Sequence, residues 1–295
     1  MTKHTIGFIG LGLMGSAMVG RLQDQGYEIT ALANRNRTGI DAAIARGASE
    51  ASDAKSLAEA ADIVMLCVGT SDQVEGRMRG DDGVIAGLSP GKVVIDFGTS
   101  LPGSTRALGA EVAATGASML DAPLGRTPAH AKDGLLNIMA SGDKATYDRV
   151  LPVLNDLGEN VFHLGDLGAG HTIKLINNFY AQVTAIAMSE AFAVCDLAGV
   201  DRQSLYDVMA AGPNHSGMMD FVKAYAIEGD PMKLAFSVRN ALKDVGYYDR
   251  MVEDFVTNSI MVKCAINAVG RATDDGHGDD MVPQMVDSFA RWFKE

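Results

Sequence analysis

Over the first 165 residues, short apolar runs alternate with segments of helical spacing. The runs at 5–9, 27–33, 62–68 and 92–97 predict strands. The run 62–68 is apolar on both faces, which predicts a fully buried parallel strand. Between the first two runs, Met14, Ala17, Met18, Arg21 and Leu22 recur at three-to-four spacing and Gly26 follows as a C-terminal cap. Further helical segments are expected near 54–60, 71–79, 103–115 and 143–157, with strands at 118–121, 135–140 and 161–164. The period then changes. Behind the glycine-rich hinge Gly165-Asp166-Leu167-Gly168-Ala169-Gly170, the stretch from His171 to Ala198 holds no glycine or proline. Ile173, Ile176, Tyr180, Val183, Ala187 and Ala191 form one stripe on a helix about 40 Å long. From Asp201 onward, helices are broken at Gly212-Pro213, Gly229-Asp230-Pro231 and Gly276-His277-Gly278, with no strand pattern and no repeat of fixed period.

The first strand runs into Gly10, Gly12 and Gly15, and a helix follows. Gly10 permits the sharp turn, Gly12 lets backbone approach a pyrophosphate, and Gly15 lets the helix lie close on the strand. The helix N-terminus then offers N–H groups and a positive dipole end to the anion, with Leu11, Leu13 and Met14 completing the cradle. A dinucleotide site is the reading, because the motif has the strand–turn–helix context it needs. The expected fold class is α/β: a Rossmann-type doubly wound, mostly parallel sheet over 1–165, then an all-helical C-terminal domain over 166–295, joined through the long interdomain helix. The turns after 62–68 (Val68, Gly69) and after 92–97 lie at the C-terminal strand edge, beside the ligand crevice.

An NAD site usually carries an acid at the end of the second strand. Here none occurs until Asp41, and Asn34, Arg35 and Arg37 offer donors instead. The Arg fork suits a 2′-phosphate, so NADP is favoured over NAD. A solvated basic turn with no cofactor role is the alternative.

At 295 residues the chain suits two domains, and 47% hydrophobic with 21% charged residues implies a globular chain. The formal charge of −12 argues against nucleic acid as a partner and means that an anionic substrate needs a local cluster of donors. Three dispersed cysteines and six histidines without H-x-x-x-H suggest neither a disulfide framework nor a metal site. No secretory segment is recognised, and no apolar run is read as approaching the ~18–20 residues of a bilayer span, so a cytoplasmic enzyme is expected. Methionine-rich apolar faces in the C-terminal half suggest burial against a partner subunit, as a homodimer or homotetramer.

Lys174, Asn177 and Asn178 fall at i, i+3 and i+4 on the long helix, one polar face in an otherwise apolar segment. Their place just after the hinge points to a functional patch where two domains meet.

The run Ile6-Gly7-Phe8-Ile9-Gly10-Leu11-Gly12-Leu13-Met14-Gly15-Ser16-Ala17-Met18 resembles the signature of the β-hydroxyacid dehydrogenases. Gly168-Ala169-Gly170-His171-Thr172-Ile173-Lys174-Leu175-Ile176-Asn177-Asn178 resembles that family's catalytic block, which implies Lys174 as proton donor and acceptor. Leu242-Lys243-Asp244 resembles its late Lys-Asp, implying that Lys243 reaches cofactor and substrate. Gly276-His277-Gly278-Asp279-Asp280 resembles its C-terminal element, and analogy places Thr99 near the nicotinamide.

One block departs. Most of the family has Asp-Ala-Pro-Val-Ser-Gly-Gly where this chain has Asp121-Ala122-Pro123-Leu124-Gly125-Arg126-Thr127. The family's loop holds the substrate carboxylate. The Gly125-Arg126-Thr127 version is similar to that of sulfolactaldehyde reductases, which bind a sulfonate there. Arg126, Thr127, Asn177 and Asn178 are therefore expected to hold the anionic tail of a small aldehyde, best 3-sulfolactaldehyde, while NAD(P)H reduces it and Lys174 supplies the proton without a metal. A salt bridge to a nearby acid is the alternative for Arg126. Carboxylate substrates (3-hydroxyisobutyrate, tartronate or succinic semialdehyde) are the runner-up. A non-catalytic binding protein and an imine reductase are rivals, and Lys174 with both asparagines counts against each.

Overall fold

The computed structural model describes residues 3–34 and 36–295. The chain divides into two compact units, Met1–Lys174 and Leu175–Glu295.

In the first unit the order is β1 (Ile6–Ile9), α1 (Leu13–Asp24), β2 (Ile29–Leu32), α2 (Thr38–Ala45), β3 (Ser49–Ala51), α3 (Ala54–Ala60), β4 (Ile63–Leu66), α4 (Ser71–Met78), β5 (Val93–Asp96), α5 (Pro102–Ala113) and β6 (Ser118–Asp121). There follow β7 (Leu124–Gly125), α6 (Pro128–Lys132), β8 (Leu136–Ala140), α7 (Lys144–Leu157) and β9 (Gly158–His163). β1 to β6 form one parallel sheet in the order β3-β2-β1-β4-β5-β6, which reverses direction beside β1, so the C-terminal ends of β1 and β4 flank the switch point.

Every residue of β1, β4 and β5 is buried, as expected of strands covered on both faces. The period of two decides which face each side chain serves. Ile63 and Met65 pack with Met18 and Leu22 of α1 and Val150 of α7. Val64 and Leu66 pack with Leu57 of α3, Met78 of α4 and Val112 of α5. β7, β8 and β9 form a separate small sheet, antiparallel between β7 and β8 and parallel between β8 and β9. β3 and β7 escape the sequence pattern because they are three and two residues long.

α8 (Ala169–Ala198) begins in the first unit and continues into the second, which adds α9 (Arg202–Ala210), α10 (Gly217–Ala226), α11 (Val238–Glu253), α12 (Ile260–Ala272) and α13 (Met285–Trp292). Its core holds Phe192, Val222, Val245, Val262, Val269 and Val286. Extended pairing among its described residues is a single bridge between Ser237 and Met281.

The first compact unit runs past 165 to Lys174, inside α8, because backbone of the hinge hydrogen-bonds to buried side chains of that unit. Two expectations are corrected here. The stripe Ile173, Ile176, Tyr180 is exposed; the buried positions on α8 include His171, Leu175, Asn178, Gln182, Ala185, Ser189 and Phe192, about a quarter-turn or more away. An apolar period shows that a helix has a face but not which element covers it. Finally, the 30 residues of α8 are long and apolar enough to cross a membrane by length and composition. Here that apolar length supplies Ala185, Ile186 and Phe192 to the second unit's core.

Candidate active site

Gly10 follows β1 at φ +102°, in the left-handed region, and a Cβ there would lie 2.3 Å from the Cys67 carbonyl oxygen. A Cβ on Gly15 would lie 1.9 Å from the Gly10 oxygen, so α1 can pack against its own strand only with glycine at 15. Around Gly12 nothing lies within 4 Å of an added Cβ, which leaves room for a ligand. Gly12 is also the N-cap of α1 and provides no side-chain acceptor for the first-turn N–H groups, and no acid sits in that turn. Leu11 and Met14 pack onto the core while Leu13 is exposed, and the turn Leu11–Gly12–Leu13 is one end of the lining of a cavity of about 710 Å³ that also takes in Asp24 of α1, Ala42 of α2 and Lys132. The exposed, uncapped helix end and the space at Gly12 fit a pyrophosphate.

The other turns of this sheet edge are held by buried polar groups. Asp96, at the end of β5, accepts from the Gly98 N–H and the Ser100 hydroxyl, both at 2.8 Å, and so fixes the turn that carries Thr99. Beside Val68, the Gly69 N–H donates to Gln73 Oε1 at 2.9 Å. Burial, and secondarily Asp96, push the Cys67 thiol up to about 12, so it stays protonated and unreactive.

Asn34 is exposed just beyond β2 and lines a second cavity of about 380 Å³ with Val68. Arg35 lies outside the described residues. Arg37 does not offer an open fork. It donates to Glu50 at 3.0 and 2.9 Å and to Asp41 at 3.2 and 3.0 Å, and these carboxylates raise its pKa further. The sequence showed the arginine but not Glu50, which β3 brings alongside.

In the substrate loop, Gly125 pairs with Asn137 across β7 and β8, and a Cβ on Gly125 would stand 3.2 Å from Asn137 Cβ. Arg126 adopts φ +76°, a left-handed conformation rare for a residue with a side chain. Its Nη1 donates to the Leu135 carbonyl at 2.7 Å and pairs with Glu159. The expected alternative, a salt bridge to an acid, is therefore present, but it engages Nη1 only. Nε and Nη2, the bidentate edge, make no hydrogen bond with another described residue. Thr127 Oγ1 lies 2.8 Å from His130 Nδ1.

The start of α8 is anchored by a group the sequence reading did not single out. Asp121, fully buried at the end of β6, accepts from the Gly168 and His171 N–H groups at 2.7 Å each and from the Ser141 hydroxyl. Ser141 Oγ in turn accepts from the Gly170 N–H at 2.8 Å. Gly170 is required there, since a Cβ would lie 2.2 Å from the Met139 oxygen. The His171 ring is fully buried, with Nδ1 2.8 Å from Thr105 Oγ1 and Nε2 3.7 Å from Asp96 Oδ2. The Thr105 hydroxyl donates to the Leu101 carbonyl at 3.1 Å. The glycine-rich hinge is thus a tight joint, and Lys174, half-buried, follows one turn later.

In the second unit, Asn177 Nδ2 donates to Asn178 Oδ1 at 3.3 Å, and Asn178 Nδ2 donates to Asp244 Oδ2 at 2.6 Å. Lys243 Nζ stands 2.9 Å from Asp244 Oδ1. Buried Asp244 therefore organises three of the expected site residues, a role that the Lys-Asp pair in the sequence hinted at but could not locate.

Comparison with known proteins agrees with this geometry. The family description "NAD binding domain of 6-phosphogluconate dehydrogenase" matches residues 5–165, and "NAD-binding of NADP-dependent 3-hydroxyisobutyrate dehydrogenase" matches 168–288. A probable mitochondrial 3-hydroxyisobutyrate dehydrogenase-like protein of Arabidopsis thaliana is 32% identical over 245 residues, 83% of this chain and 76% of the relative. The 3-sulfolactaldehyde reductase of Escherichia coli is 31% identical over 272 residues, 90% of this chain and 87% of the relative. The structure of Mycobacterium tuberculosis 3-hydroxyisobutyrate dehydrogenase with L-serine superposes with a TM-score of 0.88 at 26% identity, covering 97% of this chain and 99% of that one. With a glycine turn shaped for a dinucleotide and both halves matched, the chain belongs to the β-hydroxyacid dehydrogenase family, the NAD(P)-dependent oxidoreductases that act on CH–OH groups.

Proposed function

We propose that this dehydrogenase reduces a small aldehyde with a strongly anionic tail, best 3-sulfolactaldehyde to 2,3-dihydroxypropane-1-sulfonate, and catalyses the reverse oxidation. NADPH is the preferred reductant, and when bound the dinucleotide supplies hydride to the carbonyl carbon. The observation that carries the reading is Arg126. It takes the position where most of the family has glycine, tolerates a left-handed backbone to do so, and keeps its Nε/Nη2 edge open. That edge donates two parallel hydrogen bonds to an oxyanion. A sulfonate has three acceptor oxygens and stays ionised throughout the working pH range. Asn177 and Asn178 donate to the tail and the neighbouring hydroxyl, with Asn178 oriented by Asp244. Lys174 gives the oxygen its proton in reduction and takes it back in oxidation.

The test is an aldehyde panel of 3-sulfolactaldehyde, tartronate semialdehyde, succinic semialdehyde and methylmalonate semialdehyde, each with NADPH and with NADH. Sulfolactaldehyde with NADPH should show the highest kcat/KM; a carboxylate semialdehyde ahead of it defeats the proposal. Arg126→Gly should raise KM for the sulfonate roughly ten- to hundredfold, the worth of about 1.5–3 kcal/mol in lost charge-assisted bonds. The same change relieves the φ +76° strain, so thermal stability should hold or rise by up to about 1 kcal/mol. A KM change of less than threefold removes Arg126 from the substrate site.

A further inference from the structure

The cavity of about 380 Å³ at the end of β2 is lined by Asn34, Val68, Gln73 and Arg77. Gln73 and Arg77 stand four residues apart on α4 and so share one face. Gln73 uses its Oε1 to accept from the Gly69 N–H, which leaves its NH₂ group as a donor; Asn34 brings a second amide. Arg77 is half-buried and is the charged group among the described lining residues, none of which is a carboxylate. Its neighbour Arg79 is taken by Glu111 at 2.7 Å and by Glu75, whereas Arg77 has no carboxylate partner among the described residues. At the opposite side of the same strand end, Arg37 is bound to both Glu50 and Asp41. One guanidinium against two carboxylates makes that cluster net negative, which repels a phosphate dianion. The cavity, by contrast, offers a cation and amide donors around a space that a phosphate fits.

We infer that Arg77, assisted by Gln73 and Asn34, reads the 2′-phosphate of NADP(H), and that Arg37 does not. This rests on the reading that the dinucleotide lies along the glycine turn with its adenosine end at β2. The arginine sits on α4, about forty residues beyond the loop where a sequence motif would look for it.

Calorimetric titration of the full-length protein with adenosine 2′,5′-bisphosphate and with AMP isolates the adenosine half without turnover. Arg77→Ala should weaken the bisphosphate at least about tenfold and leave AMP within about twofold, in line with losing a charge-assisted pair. Arg77→Lys, which keeps charge without the fork, should recover part of the loss. Arg37→Ala should change neither nucleotide by more than about twofold. NADP+ and NAD+ should repeat the pattern. Equal losses for both nucleotides would mean that Arg77 stacks on adenine, and would overturn the assignment. So would an unchanged bisphosphate affinity, or a selective loss in the Arg37 variant. Wild-type protein that binds NAD+ but fails these tests sinks only the arginine assignment; protein that binds no dinucleotide sinks the reading beneath it.

Discussion

Replacing Lys174 by alanine is expected to lower kcat by a factor of about 10²–10⁴, the usual contribution of a positioned proton donor. Affinity for NADP+ in calorimetric titration should stay within about threefold, because the glycine turn and the Asn34 cavity do not contain Lys174. Two alternatives make the experiment decisive. If Lys174 served only as a positive charge, Lys174→Arg would keep most of the activity. A guanidinium does not release its proton near neutrality, so as a proton donor Lys174→Arg should be nearly as slow as alanine. If the chain were a non-catalytic binding protein, wild type itself would show no turnover with any aldehyde. Turnover within about threefold of wild type would remove Lys174 from the chemistry.

What could be read from the sequence follows how far apart the interacting residues lie along the chain. β1, the glycine turn and α1 are contiguous, so three glycines in one short stretch announce the local geometry, with close contacts at Gly10 and Gly15 and open space at Gly12. The buried runs that became β4 and β5 were visible for the same reason, as was the helical second unit. The long helix was visible as a helix, but the stripe drawn on it turned out to be exposed at Ile173, Ile176 and Tyr180. Periodicity reports the existence of an amphipathic face, and several faces of this helix are apolar. Features built from distant positions were not legible. Arg37 reads as a free cation until β3 brings Glu50 to it across 13 residues. Arg126 reads as a substrate ligand and is one, on the proposal above, only through the edge that Glu159, 33 residues on, leaves open. Asp121 reads as part of a loop motif, whereas its partners lie 20 to 50 residues later.

That last group supports the largest expected effect on stability. Asp121→Ala should cost the first unit about 3–5 kcal/mol, measured as the fall in unfolding free energy in urea. The carboxylate receives two backbone N–H groups and one hydroxyl with no access to water, and hydrogen bonds to a charged group are worth about 1.5–3 kcal/mol each. Truncation leaves the Gly168 and His171 N–H groups buried and unpaired, which is where most of the penalty arises. Asparagine should rescue little, although it is nearly the same size. Of its two terminal atoms only the oxygen accepts, so its NH₂ must face a donor, either the His171 N–H or the Gly168 N–H with the Ser141 hydroxyl. Ser141→Ala removes one link of the same chain and should cost about 1–2 kcal/mol. Combining it with Asp121→Ala should cost less than the sum, because both changes break one network. The joint matters for chemistry as well as for folding, because Lys174 is carried by the turn that follows it. In Asp121→Asn the molecules that remain folded should still turn over more slowly than wild type once the unfolded fraction is corrected for. A stability loss below about 1 kcal/mol would show that the α8 start is held by packing alone, and that the buried carboxylate is incidental to it.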